Sequence, residues 1–171
     1  MKQQVRKAAL VFAVTAGAVA VVSAQDSAQP FNNPVPMQTS INEMMVMGVD
    51  YAAHWIWDAQ EEVPKTEEDW FRIRVHATQL VVLGSAMALG GTGVADGGWV
   101  RSPKWAEYSQ EIVDSSEDAL KAAESQNVDA LNAAGNRLVA ACEGCHAVFK
   151  PDSPTEGVLH RDVHREGREG L

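Results

Sequence analysis

Cysteine, aromatic residues and positive charge are all scarce in this chain of 171 residues. It holds only two cysteines, so once these are used none remains for a second disulfide or a second pair of zinc ligands. Aromatic residues make up 6% of the sequence, and 14 Lys and Arg face 23 Asp and Glu, a formal net charge of −9. That sign disfavours nucleic acid and anionic lipid as partners, keeps the chain soluble and would steer it toward a basic protein.

Long apolar runs are also lacking. The longest, Ala8 to Val22, falls short of the roughly 20 residues that a spanning helix needs. It follows three positive residues and precedes Val22-Ser23-Ala24, an order typical of a secretory signal peptide. We therefore expect residues 1–24 to direct export to the periplasm, with cleavage after Ala24 and no membrane insertion of the remainder. An uncleaved anchor is the alternative that the short run disfavours.

The rest of the chain divides into three parts. Residues 25–39 contain three prolines among Asn, Gln and Ser and are predicted to be a linker. Residues 40–150 are long enough for one folded domain, and residues 151–171 form a charged, glycine-containing tail that we expect to be loose. His160 and His164 in that tail could bind a metal if helical, but no third ligand is fixed near them, so a metal site is not expected.

Both cysteines lie in the pentapeptide Cys142-Glu143-Gly144-Cys145-His146, which is the C-x-x-C-H pattern of c-type haem attachment. Two thiols at this spacing can add to the two vinyl groups of one porphyrin, and the histidine can then ligate the iron. A thioredoxin-like redox pair would need a βαβ context, and zinc would need a second ligand pair. A structural disulfide is the third alternative. The pattern predicts one haem c per chain, held by Cys142 and Cys145, with His146 as an iron ligand.

The apolar periodicity between residues 40 and 150 is helical, with little strand pattern. Four helices are predicted, beginning at the N-caps Ser40, Thr66, Ser102 and Asn127. The predicted inner faces follow steps of three and four residues: Ile41, Met45, Gly48, Ala52 and Trp55 or Ile56; Trp70, Ile73, Ala77, Leu80, Gly84 and Met87; Trp105, Tyr108, Ile112, Ser115, Ala119 and Ala122; Leu131, Gly135, Leu138, Cys142, Cys145 and Phe149. The sequence thus predicts an all-α, antiparallel up-and-down four-helix bundle, a fold that holds cofactors between facing helices.

Small residues and tryptophans receive structural interpretations. Gly135, Ala141 and Gly144 near the motif are expected to leave room for a flat porphyrin. The glycine-rich stretch 90–102 does not follow the phosphate-binding spacings and is predicted to be a plain connection. The five tryptophans are expected to serve mostly as core or as caps at the bundle ends.

Together, these residues resemble the cytochrome c-prime superfamily over about residues 40–150. The likeness rests on C-x-x-C-H in the last helix with Phe149-Lys150 after it, on Ile41-Asn42-Glu43-Met44-Met45 followed by Trp57, and on a second helix with Trp70, Ala77 and Leu80. The resemblance implies a periplasmic haem protein, often a homodimer. It also implies histidine on one side of the iron and either methionine or an apolar residue on the other.

Six residues are candidates for that other side: Met44, Met45, Met47, His54, His76 and Met87. At about 100° per residue, Met45 lies on the inner seam of the first helix, whereas His54 points to the opposite side. Met44 and Met47 lie off the seam. His76 is expected to be solvated or to act as a cap, and Met87 to be core at the end far from the haem. Met45 is therefore the preferred ligand, with simple core packing as its alternative role.

Two functions follow from that choice. With Met45 on the iron, the chain would be an electron carrier that meets redox partner proteins, because a His/Met pair raises the reduction potential. With Met45 as packing only, an open iron would bind nitric oxide or carbon monoxide. An enzyme, such as a peroxidase or thiol oxidoreductase, is not expected, since no distal acid–base pair is evident and haem would consume both thiols.

Overall fold

The structure, a computed structural model, describes residues 36–150, and every regular element in that range is helical. In chain order these are α1 (Ile41–Met44), a π-helical turn (Met45–Val49), α2 (Asp50–Asp58), α3 (Glu67–Met87), α4 (Asp96–Trp99), α5 (Pro103–Glu124) and α6 (Val128–Phe149). The all-α prediction is confirmed. No helix within the described range is long and apolar enough to cross a bilayer. The predicted leader, most of the linker, the tail and its two histidines lie outside the described residues.

Four helices begin at the N-cap residues that the sequence predicts, namely Ser40, Thr66, Ser102 and Asn127. The hydroxyl of Ser40 accepts a hydrogen bond from the backbone N–H of Glu43 at 3.1 Å, and the Glu43 carboxylate accepts one from Ser40 N–H at 2.8 Å. Thr66 heads an equivalent capping box at α3, and the Asn127 side chain caps α6. Ser102 occupies the N-cap of α5 without a side-chain hydrogen bond, ahead of a proline in the first turn.

The predicted inner face of α3 is confirmed in full, since its buried residues are Trp70, Ile73, Ala77, Leu80, Gly84 and Met87. The inner faces of α5 and α6 are wider than a single seam, because α5 also buries Ser109, Ser116 and Ala123, and α6 also buries Ala134 and Ala141. The side chains at these additional positions are all small, being serine or alanine. They let neighbouring helices approach closely on two sides.

Each of the four longer helices packs against two others. α2 contacts α3 and α6, and α5 also contacts α3 and α6. α3 and α5 run antiparallel, because the indole N–H of Trp105 at the start of α5 donates to the carbonyl of Met87 at the end of α3 (3.0 Å). At the same time, Lys150 after α6 donates to the Asn42 side chain in α1 (2.8 Å), so the start of the first helix meets the end of the last.

The glycine-rich stretch is more than the plain connection predicted for it. It contains α4, and the carboxylate of Asp96 in that helix is buried, where it accepts hydrogen bonds from the backbone N–H groups of Ile41 (2.9 Å) and Gly93 (2.8 Å). A Cβ at Gly91 would lie 2.7 Å from the carbonyl oxygen of Thr39 and 2.9 Å from the nitrogen of Ile41. Only glycine fits there, so the loop is fastened to the start of α1.

We expect Gly91→Ala to destabilise the protein by about 1–3 kcal/mol, the usual range for forcing a methyl group into a packed site. The new methyl would meet backbone atoms, which cannot move aside as a side-chain end can. Gly98→Ala in α4 is the matched control, because nothing lies within 4 Å of its Cβ position. Urea unfolding followed by circular dichroism measures both changes, and equal midpoints for the two variants would contradict the tight fit at Gly91.

Candidate cofactor site

A cavity of about 210 Å³ lies between the first helical segments and α6, beside the C-x-x-C-H motif. Its principal lining residues are Ile41, Met45, Val49, Asp50 and Ala53 from the first segments, Cys142, Cys145 and His146 from α6, and the aromatic side chains of Trp99, Trp105 and Phe149. The cavity therefore brings together all four residues that the sequence proposed for a haem site: Cys142, Cys145, His146 and Met45.

Met45, which lines this cavity, is the first residue of the π-helical turn. The backbone N–H of Asp50 bonds to the carbonyl of Met45, an i→i+5 bond that inserts one residue into the helical turn. Met44 takes the core position, 6% exposed, whereas the partly buried Met45 faces the cavity together with Ile41.

The predicted seam residues Ile41, Gly48 and Ala52 are buried, but Met44 rather than Met45 is the buried methionine beside them, and Met45 packs against the core only in part. Both methionines lie about one turn after Ile41, roughly 60° to one side of it and 40° to the other at about 100° per residue, so the periodicity alone did not decide between them.

The histidine candidates lie outside the cavity lining. His54 Nε2 is 3.8 Å from a carboxylate oxygen of Asp50, and its ring meets Trp57 edge-on at 5.1 Å. The His76 ring stacks on Trp55 at 4.8 Å and bonds to the side chain of Gln79, and burial lowers its pKa. The expected solvated or capping role of His76 is therefore wrong, because α2 covers the ring.

Met47 and Met87, the two remaining methionine candidates, do not line the cavity either. Met47 is 78% exposed, and Met87 is 2% exposed in the core, as predicted. Met87 does not lie at the far end, however. Its carbonyl accepts the indole N–H of Trp105, a residue that lines the cavity, so the antiparallel chain brings the end of α3 to the cavity end of the molecule.

The two thiols are free; Cys145 is buried and Cys142 is partly buried. Burial raises the pKa of Cys142 to about 12, helped by the Cys145 thiolate once it forms and by the negative charges of Asp50 and Glu143. Burial also raises the pKa of Cys145 to about 11. A redox-active pair needs a low thiol pKa, because the thiolate is the nucleophile. These neutral thiols are instead typical of buried, unreactive cysteine.

His146 carries an unsatisfied atom. Its ring nitrogen Nδ1 is buried and has no hydrogen-bond partner among the described residues. Burial lowers the pKa of His146, and the positive charge of Lys150 lowers it further, against an opposing effect of Asp50. The imidazole is thus held neutral, the form that binds metals. An unsatisfied neutral imidazole at an apolar cavity is suited to a ligand that the protein alone does not supply.

An aromatic cluster forms another wall. Trp99 and Trp105 stack at 5.4 Å, and Phe149 meets Trp105 edge-on at 5.1 Å. The ammonium group of Lys150 lies 5.7 Å from the Trp99 ring centre. The sequence predicts these tryptophans only as core residues or end caps. One signal in the sequence could have placed Trp99 at the cavity, namely its position just before α5. If α5 and α6 are antiparallel neighbours, the start of α5 lies beside the end of α6, which carries the motif.

The small residues of α6 do not open the cavity, so their predicted role is wrong. A Cβ at Gly144 would lie 2.8 Å from the ring of Tyr108, and a Cβ at Gly135 would lie 3.6 Å from Ile56. These glycines instead admit side chains of α5 and α2, as close helix packing requires. Room beside the motif comes from Ala53, which lies across from it in α2.

Among residues 36–150, no group of three or more His, Cys, Asp or Glu side chains is arranged to hold a metal ion. No protein-family model, curated protein or solved structure matches the chain.

In the folded, haem-free protein, Cys142 and Cys145 should react with iodoacetamide at pH 8 at least tenfold more slowly than in denaturant, because their raised pKa values leave little thiolate. The rate should climb with pH toward 11–12, where the thiols ionise. Mass spectrometry of the alkylated chain measures both, with circular dichroism as the check on folding. Fast alkylation of the folded chain at pH 7 would instead indicate a redox pair.

Proposed function

We propose that this chain is an exported, periplasmic c-type cytochrome with one covalent haem, which carries single electrons between partner proteins. The observation that carries the proposal is the shared cavity: the C-x-x-C-H residues line one side of it, and Met45 lines it from another helix. The donor set fits haem c, since it offers one buried and one partly buried thiol, a neutral imidazole and a thioether within an apolar and aromatic wall.

The packing of the helices supports a cytochrome c-prime-like architecture, an antiparallel up-and-down four-helix bundle. Each of α2, α3, α5 and α6 contacts two of the other three, which is the neighbour relationship of such a bundle. The α3–α5 contact through Trp105 is antiparallel. A homodimer, which the family resemblance implies, remains part of the proposal.

The chain's own groups would each have a defined part. Cys142 and Cys145 would anchor the porphyrin through thioether bonds, and His146 would offer a neutral nitrogen from the same helix. The haem, when bound, would supply one-electron chemistry at its iron. The aromatic cluster of Trp99, Trp105 and Phe149 would exclude water from the cavity, and the net charge of −9 would favour a basic redox partner.

Met45 decides between the two functions that remain. As an axial ligand, its thioether would favour the reduced iron and raise the reduction potential, which suits an electron carrier. Without that bond, the apolar side chains of Ile41 and Val49 would guard an open coordination position, which suits a protein that binds nitric oxide or carbon monoxide. The partial burial of Met45 at the cavity, separate from the core position of Met44, supports the first.

Exported protein should carry haem that stays with the chain after denaturation, at one equivalent by the reduced pyridine spectrum, because two thioether bonds would hold it. Cys142→Ala combined with Cys145→Ala should remove that attachment, and the combination tests both thiols at once. Colour that extracts into acidified organic solvent from the wild-type protein would contradict covalent attachment.

Met45→Ala should convert the ferric protein from low-spin to high-spin, admit carbon monoxide to the ferrous iron and lower the reduction potential, since the thioether is lost. Visible spectra and a redox titration measure these changes.

Two neighbouring methionines provide controls for that variant. Met47→Ala should change nothing, because the side chain is 78% exposed. Met44→Ala should cost about 2–5 kcal/mol of stability, as expected for a buried methionine, and leave the spin state alone. A wild-type protein that is already high-spin and binds carbon monoxide would refute the ligand role and favour the gas-binding function.

A further inference from the structure

We propose that Asp96 is a positioning residue for Met45: its buried carboxylate fastens the start of α1, and thereby the π turn, over the cavity. This inference rests on the proposed function, because it concerns how the proposed methionine ligand is held in place. Asp96 itself does not line the cavity, and it would act through the backbone of α1.

A hydrogen bond joins the side chain of Asp96 to the first residue of α1. Asp96 is 2% exposed, and its Oδ2 accepts the backbone N–H of Ile41 at 2.9 Å across 55 residues of sequence. That N–H belongs to the first turn of α1, where helical donors lack partners within the helix. Ile41 lines the cavity, and Met45 follows one turn later. The bond therefore sets the point from which the π turn begins.

The loop is shaped around this carboxylate. The same Oδ2 accepts the N–H of Gly93 at 2.8 Å, and Thr92 N–H donates to the carbonyl of Thr39 at 3.1 Å beside it. A Cβ at Gly93 would lie 2.6 Å from Asp96 Oδ1. The glycines of this loop, which do not follow the phosphate-binding spacings, thus enclose a carboxylate of the chain itself.

The same residue also reaches the opposite wall. Asp96 begins α4, and Trp99, the last residue of that short helix, lines the cavity and stacks on Trp105 at 5.4 Å. One buried side chain thus joins the segment that carries Met45 to the segment that carries the aromatic wall. Loss of the carboxylate would leave the backbone N–H groups of Ile41 and Gly93 without their acceptor. Both the segment that carries Met45 and the segment that carries Trp99 would then be held less firmly.

A matched pair of variants separates positioning from ordinary stability. Asp69 Oδ2 also accepts two backbone N–H groups, those of Lys65 (3.0 Å) and Thr66 (2.9 Å), but it does so at the start of α3, away from the cavity lining. Asp96→Asn and Asp69→Asn each replace a carboxylate that accepts two backbone hydrogen bonds. The experiment compares them in the full-length, haem-loaded protein by hydrogen exchange and by the ferric spectrum.

In Asp96→Asn, the amides of residues 41–50 should exchange about tenfold faster or more. The amide keeps one acceptor oxygen but loses the charge that roughly doubles the strength of each of the two hydrogen bonds. The ferric protein should also gain a high-spin fraction, and the ferrous protein should gain carbon monoxide affinity. Asp69→Asn should speed exchange at the start of α3 only and keep the wild-type spectrum.

Unchanged exchange in residues 41–50 of Asp96→Asn would overturn the proposal. So would faster exchange with a wild-type spectrum, because Asp96 would then hold α1 without positioning the ligand. Failure of the proposed function is recognised separately, in the wild-type protein, by the absence of thioether ligation before any Asp96 variant is made. The positioning claim falls with it in that case, whereas hydrogen exchange still reports whether Asp96 holds α1.

Discussion

The contact between the start of the first helix and the end of the last is the constraint on which the candidate site depends. The C-x-x-C-H motif provides thiols and an imidazole from one helix only, so any second axial group must come from elsewhere in the fold. Lys150 donates a hydrogen bond to Asn42, and Asp96 accepts one from Ile41, at the start of the segment that lines the cavity together with His146. These long-range bonds bring separate parts of the sequence to one cavity.

Much of the fold was predictable because it is encoded locally. The capping boxes at Ser40 and Thr66 involve residues three apart, and the inner face of α3 follows a regular repeat, so both are legible in the sequence. The C-x-x-C-H spacing is local as well. The position of Met45 beside it agrees with the sequence, although Met44 is the more deeply buried of the two methionines.

What the sequence did not reveal depends on tertiary contacts. A π turn has no simple periodic signature. Here it occurs where Gly48 packs against Leu83 of α3, so closely that a Cβ atom at Gly48 would lie 2.7 Å from Leu83 Cδ1. The buried carboxylate of Asp96 accepts a hydrogen bond from the backbone N–H of Ile41, 55 residues earlier in the sequence. Local sequence does not show such a contact, so the loop was predicted to be a plain connection. The stacking of His76 on Trp55 and the place of Trp99 in the cavity wall likewise require knowledge of which helices are neighbours.

Proton NMR of the ferrous, carbon monoxide-free wild-type protein, with methionine methyl groups labelled, tests the central claim most directly. The ring current of a porphyrin shifts the methyl protons of an axial methionine far upfield. If Met45 and His146 face the same iron, one methionine methyl should show this shift and should disappear in Met45→Ala. A spectrum in which no methionine methyl is shifted, or in which the shifted one belongs to Met44, would contradict the claim.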